Sequence, residues 1–171
     1  MKKKSLFMET TEVPAEKTAA EVTGCLVQAG ARRLMTEYDM NREISGIRFE
    51  LEVQGKPWCC VLPARVEPIF KIINGRRKYP YDRTQNEDKD RATAKRVAWR
   101  QLLRWVQAQL AMIETGMVES AEVFLPYVEV SPGVTMFERI ISNPNRQIEA
   151  VSENHAPIDA EFADGIFPNG R

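Results

Sequence analysis

Histidine is nearly absent: His155 is the only one among 171 residues. A His-based acid–base pair, a Cys/His nucleophile and a multi-His metal site are therefore poor fits to this chain. Cysteine is almost as sparse. Cys25 and the adjacent Cys59 and Cys60 form no CxxC and cannot all pair internally, which fits a reducing compartment and makes the cytoplasm the expected location. Neighbours on a strand point to opposite faces, so Cys59 and Cys60 do not chelate one ion by local geometry. The start, Met1 to Glu9, is basic but holds no apolar run of signal-peptide length, and no later stretch is long enough to span a bilayer. There is no GxxxxGK[ST] loop and no GxGxxG after a strand. No cofactor and no metal are expected.

Net charge is also lacking, since 24 basic residues balance 24 acidic ones. The charges are nevertheless segregated. Arg65 to Arg104 carries 12 basic against 5 acidic residues, a balance of +7, whereas Ile113 to Arg171 carries 3 against 10, a balance of −7. A basic middle ahead of an acidic end suits a protein that binds an anion, or one whose tail folds back on its own basic face.

What is present is enough apolar residue, 43%, for one ordinary core but not two. The periodicity predicts an α+β domain over residues 14–145, preceded by a disordered stretch 1–13 and followed by a mobile acidic tail 146–171. A first helix is expected from Pro14 to Gly30 and a strand from Arg33 to Tyr38. Ile47, Phe49, Leu51 and Val53 alternate with Arg48, Glu50 and Glu52, the clearest β pattern in the chain. Gln54-Gly55-Lys56 then turns tightly into Trp58 to Leu62, giving a small three-stranded antiparallel sheet. A short helix is expected from Val66 to Ile73, a loop from Arg76 to Arg83, and a strand or extended crossing segment from Val123 to Val130.

The stretch from Asp88 to Gly116 reads as one long amphipathic helix packed on that sheet, with Asn86 as its cap and Gly116 as its stop. Trp99, Leu102, Val106, Leu110 and Ile113 form its apolar sector, bordered by Leu103 and Ala98. Trp105 lies off that sector, as though covered by another segment. A different face carries Arg96, Arg100 and Arg104 at i, i+4 and i+8, with Lys89 below them.

Just before this helix, Arg76, Arg77, Lys78 and Arg83 surround Tyr79 and Tyr81. Cations neutralise phosphates and tyrosines stack on exposed bases, so these residues together with Lys89, Arg96, Arg100 and Arg104 are the candidate nucleic-acid-binding set, sufficient for on the order of six phosphates. Single-stranded DNA or RNA is the favoured partner. Glu50, Glu52, Glu37 and Asp39 offer a competing metal-dependent nuclease reading, but the spacing is what any Glu-rich wet strand gives, and no convergent acid, base and electrophile accompanies it.

The order helix, three strands, helix resembles, at the level of topology, the double-stranded-RNA-binding domain and the core of single-strand annealing proteins used in recombination; topology does not fix function. The segment Ala98-Trp99-Arg100-Gln101-Leu102-Leu103-Arg104-Trp105-Val106 through Ile113-Glu114-Thr115-Gly116, followed by Val123-Phe124-Leu125-Pro126-Tyr127, is similar to a group of uncharacterised bacterial and phage proteins over most of residues 18 to 140. That resemblance implies a phage or mobile-element setting and brings no catalytic residues. The expectation is a non-enzymatic nucleic-acid-binding accessory protein. The alternatives are a protein-interaction module or inhibitor, docking through its basic ridge or acidic tail, and third the nuclease.

Overall fold

In a computed structural model that describes residues 5–142, the protein is α+β. A meander of β1 (Arg32–Tyr38), β2 (Ile44–Val53) and β3 (Lys56–Pro63) forms an antiparallel sheet in the order β1-β2-β3. Helix α1 (Ala15–Gln28) precedes it; α2 (Val66–Gly75), α3 (Pro80–Gln85) and the long α4 (Glu87–Glu114) follow. Next come α5 (Ser120–Phe124), a 3₁₀ turn (Leu125–Tyr127) and a small hairpin of β4 (Glu129–Ser131) and β5 (Val134–Thr135). The described chain divides after Met136, where α6 (Met136–Ser142) begins. The acidic tail expected at 146–171 lies outside the described residues.

The alternation in β2 does what it predicted. Ile47, Phe49 and Leu51 are buried, while Arg48, Glu50 and Glu52 face the other way. Opposite them, Leu62, Cys60 and Trp58 of β3 are their register partners, and α1 adds Ala19, Val22 and Leu26 to the same core. Gln54 and Gly55, with φ of 51° and 74°, make the two-residue turn whose twist matches the flanking strands. The β1–β2 connection is held differently: Asp39 Oδ1 accepts the backbone N–H groups of Asn41 (2.8 Å) and Glu43 (2.9 Å).

Helix α4 contributes Trp99, Leu103 and Val106 to the core. Leu102, Leu110 and Ile113, expected at the centre of its apolar sector, are only half-buried at its margin, whereas the bordering Leu103 is fully buried. The reason is a second packing partner. Ala94, Val97 and Ala98 are buried as well, so the helix is covered over a wider arc than an amphipathic stripe against one sheet requires. The helix closes with a Schellman arrangement, in which Gly116 N–H donates to Ile113 (3.0 Å) and Met117 N–H to Met112 (2.9 Å), Gly116 taking φ 70°. Asn86 occupies the cap position, but its side chain donates to the Asp82 carbonyl instead (2.9 Å).

Two further expectations change. Val123 to Val130, expected as a strand or extended crossing segment, is helical over its first five residues: Glu119 and Glu122 form a capping box that starts α5, Pro126 sits in the first turn of the 3₁₀ segment, and the chain is extended only from Val128 into β4. This segment covers Trp105, whose ring lies 6.2 Å from Phe124 and 5.3 Å from Tyr127; Phe124 in turn meets Phe49 edge-on at 5.6 Å. Of the N-terminal stretch expected to lack order, residues 5–13 make contacts with the helical layer, since Glu9 pairs with Arg76 and Gln101 Nε2 donates to the Phe7 carbonyl (2.8 Å).

Candidate nucleic-acid interface

The segment Arg76–Arg83, expected as one loop, is a short irregular stretch running into α3, which Pro80 starts at its first turn. It is fixed from below. Arg77 forks onto the buried Asp90 of α4, Nε to Oδ2 at 2.7 Å and Nη2 to Oδ1 at 2.6 Å. Asn74 Nδ2 donates both to Asp90 Oδ2 (3.3 Å) and to the Arg83 carbonyl (3.0 Å), and Arg83 Nε returns to the Arg77 carbonyl (3.2 Å). The Asp90 side chain is only 5% exposed. Its carboxyl is held below the ordinary carboxylate value, chiefly by the Arg77 hydrogen bonds, and the same bonds hold the Arg77 guanidinium above its own.

Asp90 was legible only as a helix-dipole acid in the first turn of α4. Its role as the anchor of the loop 13 residues away has no sequence signal beyond a buried acid facing an arginine, and Asn74 has none beyond its place beside Gly75.

The effect is a rigid base carrying an exposed tip. Tyr79 is 56% and Tyr81 73% exposed. Lys78 Nζ lies 5.2 Å from the Tyr79 ring centroid, and Lys78, Arg83 and Lys89 are exposed. Among the described residues no carboxylate forms an ion pair with these three. At the tip five members of the predicted set, Lys78, Tyr79, Tyr81, Arg83 and Lys89, thus remain open to a ligand. Arg76 and Arg77 are half-buried and held by Glu9 and Asp90.

The ridge on α4 is different. Arg100 Nη1 bonds Glu21 Oε2 of α1 at 2.7 Å, its side chain being 17% exposed. Arg96 lies half-buried with Nη2 on Thr93 Oγ1 (3.2 Å) and a buried Nε without a partner among the described residues. Lys95, which interrupts the apolar sector, meets Glu16 (3.1 Å) and Glu43 (3.5 Å). Only Arg104 is exposed; it donates to Gln107 of its own helix (3.0 Å). It stands about 22 Å along the axis from Lys89, at 1.5 Å per residue. Of the ridge, α1 supplies a carboxylate to Arg100 and Arg96 is half-buried, so the ridge offers one exposed cation, Arg104, against three at the tip.

The carboxylates of the nuclease alternative are engaged rather than convergent. Glu37 accepts from Arg48 Nε (2.9 Å), Glu50 pairs with Arg33 (2.8 Å), Glu52 with Arg32 (3.6 Å), and Asp39 holds its own turn. Arg48 also pairs with Glu129 of β4, tying the small hairpin to the open face of the sheet. Glu129 is held below the ordinary carboxylate value first by the Gly133 N–H and then by Arg48, and the bonds from Arg48 to Glu129 and Glu37 hold its guanidinium above its ordinary value. Among the described residues no three His, Cys, Asp or Glu side chains are grouped to hold a metal ion, and no helix is long and apolar enough to cross a membrane. Cys60 is buried with its thiol pushed up to about 12 by desolvation, while Cys59 lies on the opposite, half-open face. Comparison with protein-family models, with curated proteins and with solved structures finds no match to this chain.

Proposed function

We propose that the protein is a non-enzymatic nucleic-acid-binding accessory protein that holds single-stranded DNA or RNA on the tip formed by Lys78, Tyr79, Tyr81, Arg83 and Lys89. The observation that carries this reading is the pair of highly exposed tyrosines beside cations that form no ion pair among the described residues, on a segment fixed underneath by Arg77, Asn74 and Asp90. Exposed tyrosines cost solvation of their apolar rings, a cost that stacking on bases recovers, and a pre-ordered tip loses little entropy on binding. Single strands are favoured over duplex because their bases are open to stacking. A phage or mobile-element setting, with recombination as one process that handles single strands, rests on the sequence resemblance to bacterial and phage proteins alone.

Titration of labelled single- and double-stranded DNA and RNA at graded salt tests this. Three cations contribute a log-affinity against log-salt slope of about −2 on single strands, and magnesium leaves the oligonucleotides uncleaved. Absence of binding at low salt, or cleavage in magnesium, contradicts the proposal.

A further inference from the structure

The two edges of the sheet are finished differently. Beyond β3, Cys60 forms an antiparallel bridge with Val128, which closes part of that edge. Beyond β1 no described strand pairs, and an open edge is a template for another chain. The helical layer also stops short of β1. Thr36 and Tyr38, on the helix side of the strand, remain exposed, Tyr38 by 64%. A groove of about 440 Å³ lies between them and the small residues Ala19, Ala20 and Thr23 of α1. The corner of the sheet–helix sandwich is thus built for a fourth strand that the described chain does not supply.

We infer that β1 is a homodimer interface, at which two copies of the chain pair antiparallel and join their meanders into one six-stranded sheet. The occupant is read from the charge order of the strand, Arg32-Arg33-Leu34-Met35-Thr36-Glu37-Tyr38. Two-fold pairing of identical antiparallel strands must set one residue opposite itself, because adjacent pairs alternate between two hydrogen-bonding types. With Met35 on the axis, Arg33 of each copy faces Glu37 of the other, so two opposite-charge pairs flank the centre. Met35 and Glu37 share the face on which they register with Arg48 and Gly46, Arg33 reaches that face through its ion pair with Glu50, and Met35 is 61% exposed.

On the helix side the same register sets Thr36 beside Leu34 of the second copy, giving the groove an apolar neighbour. Centring on Leu34 instead sets Arg33 opposite Met35 and forms no ionic pair. Centring on Thr36 sets Glu37 opposite Met35 and Arg33 opposite Asp39, which lies beyond the end of β1 in the turn that its own Oδ1 holds. Arg33 and Glu37 keep their partners Glu50 and Arg48, so the new pairs extend existing ones. Arg33, with φ 51° beside a register shift, bulges the start of the strand and confines the ladder to its middle. The dimer is accordingly small and concentration-dependent.

Sedimentation equilibrium over a range of concentrations tests this, with Arg33→Glu, Glu37→Lys and Met35→Lys compared with the unaltered chain. Arg33→Glu sets two carboxylates against Glu37, and Glu37→Lys sets two lysines against Arg33; each alone sediments as a monomer. Mixed in equal amounts they restore opposite charges at both positions and return to twice the monomer mass. Met35→Lys, at an exposed site clear of the core, gives a monomer that melts like the unaltered chain and separates loss of pairing from loss of folding. An unaltered chain that stays monomeric at every concentration, a Met35→Lys variant that dimerises undiminished, or a mixture that does not reassociate although each variant melts cooperatively, overturns the interface.

Discussion

The tip before α4 and the ridge along it carry cations at similar density, yet the fold leaves one open and covers most of the other. Arg100 finds Glu21, and Lys95 finds Glu16 and Glu43, because α1 and the β1–β2 turn bring acids from more than fifty residues away. At the tip the anchoring acids, Glu9 and Asp90, are spent underneath on Arg76 and Arg77, and among the described residues no carboxylate pairs with Lys78, Arg83 or Lys89, which stay outward. Cationic character is therefore a property of the packing partner as much as of the segment, and a run of arginines on a helix is a candidate surface only until the opposite element is known.

The largest way to break the comparison is to release the anchor. Asp90→Ala leaves the Arg77 fork without its partner and is expected to cost about 2–3 kcal/mol of stability, as loss of charge-assisted bonds at a buried carboxylate does, together with most of the binding at the tip; denaturant unfolding and the oligonucleotide titration read the two. The anchor also has a pH signature. Because the folded-state value of Asp90 lies below its ordinary 3.8, its contribution is complete above that value and is lost as pH falls through the folded value. An Asp90→Asn variant should lose stability at neutral pH and show a shallower decline on acidification below about pH 4; an unchanged acid limb would remove Asp90 from the account.

Next in size is the tyrosine pair. Tyr79→Ala with Tyr81→Ala should weaken single-strand binding by about 1–3 kcal/mol per stacked base without altering the salt slope or the melting temperature, since both rings are mostly exposed. If binding is unchanged, the tip is an electrostatic contact only. Smallest is Arg100→Gln: a half-covered ion pair is worth about 1 kcal/mol, so thermal stability should fall by that order while nucleic-acid affinity stays the same.

Much of the sheet was legible, and the reason is local. The alternation of Ile47, Phe49 and Leu51, the Gln54-Gly55 turn and the Gly116 stop each depend on residues adjacent in sequence. The strand or extended segment expected at Val123 to Val130 holds only from Val128 on, because the Glu119/Glu122 capping box starts a helix ahead of it. The centre of the α4 face shifted from Leu102 to Leu103 because a second packing partner cannot be read from one helix. The site was legible in composition but not in availability: which cations remain open depends on Glu9, Glu21 and Asp90, and only tertiary structure brings these into contact.

The contrast between tip and ridge is tested most directly by salt titration of single-strand binding in two triple variants. Replacing Lys78, Arg83 and Lys89 by Gln should flatten the slope by about 2 units, whereas replacing Arg96, Arg100 and Arg104 by Gln should change it by no more than about 0.7, the share of Arg104 alone. A ridge variant that flattens the slope as much as the tip variant, or more, would contradict the account.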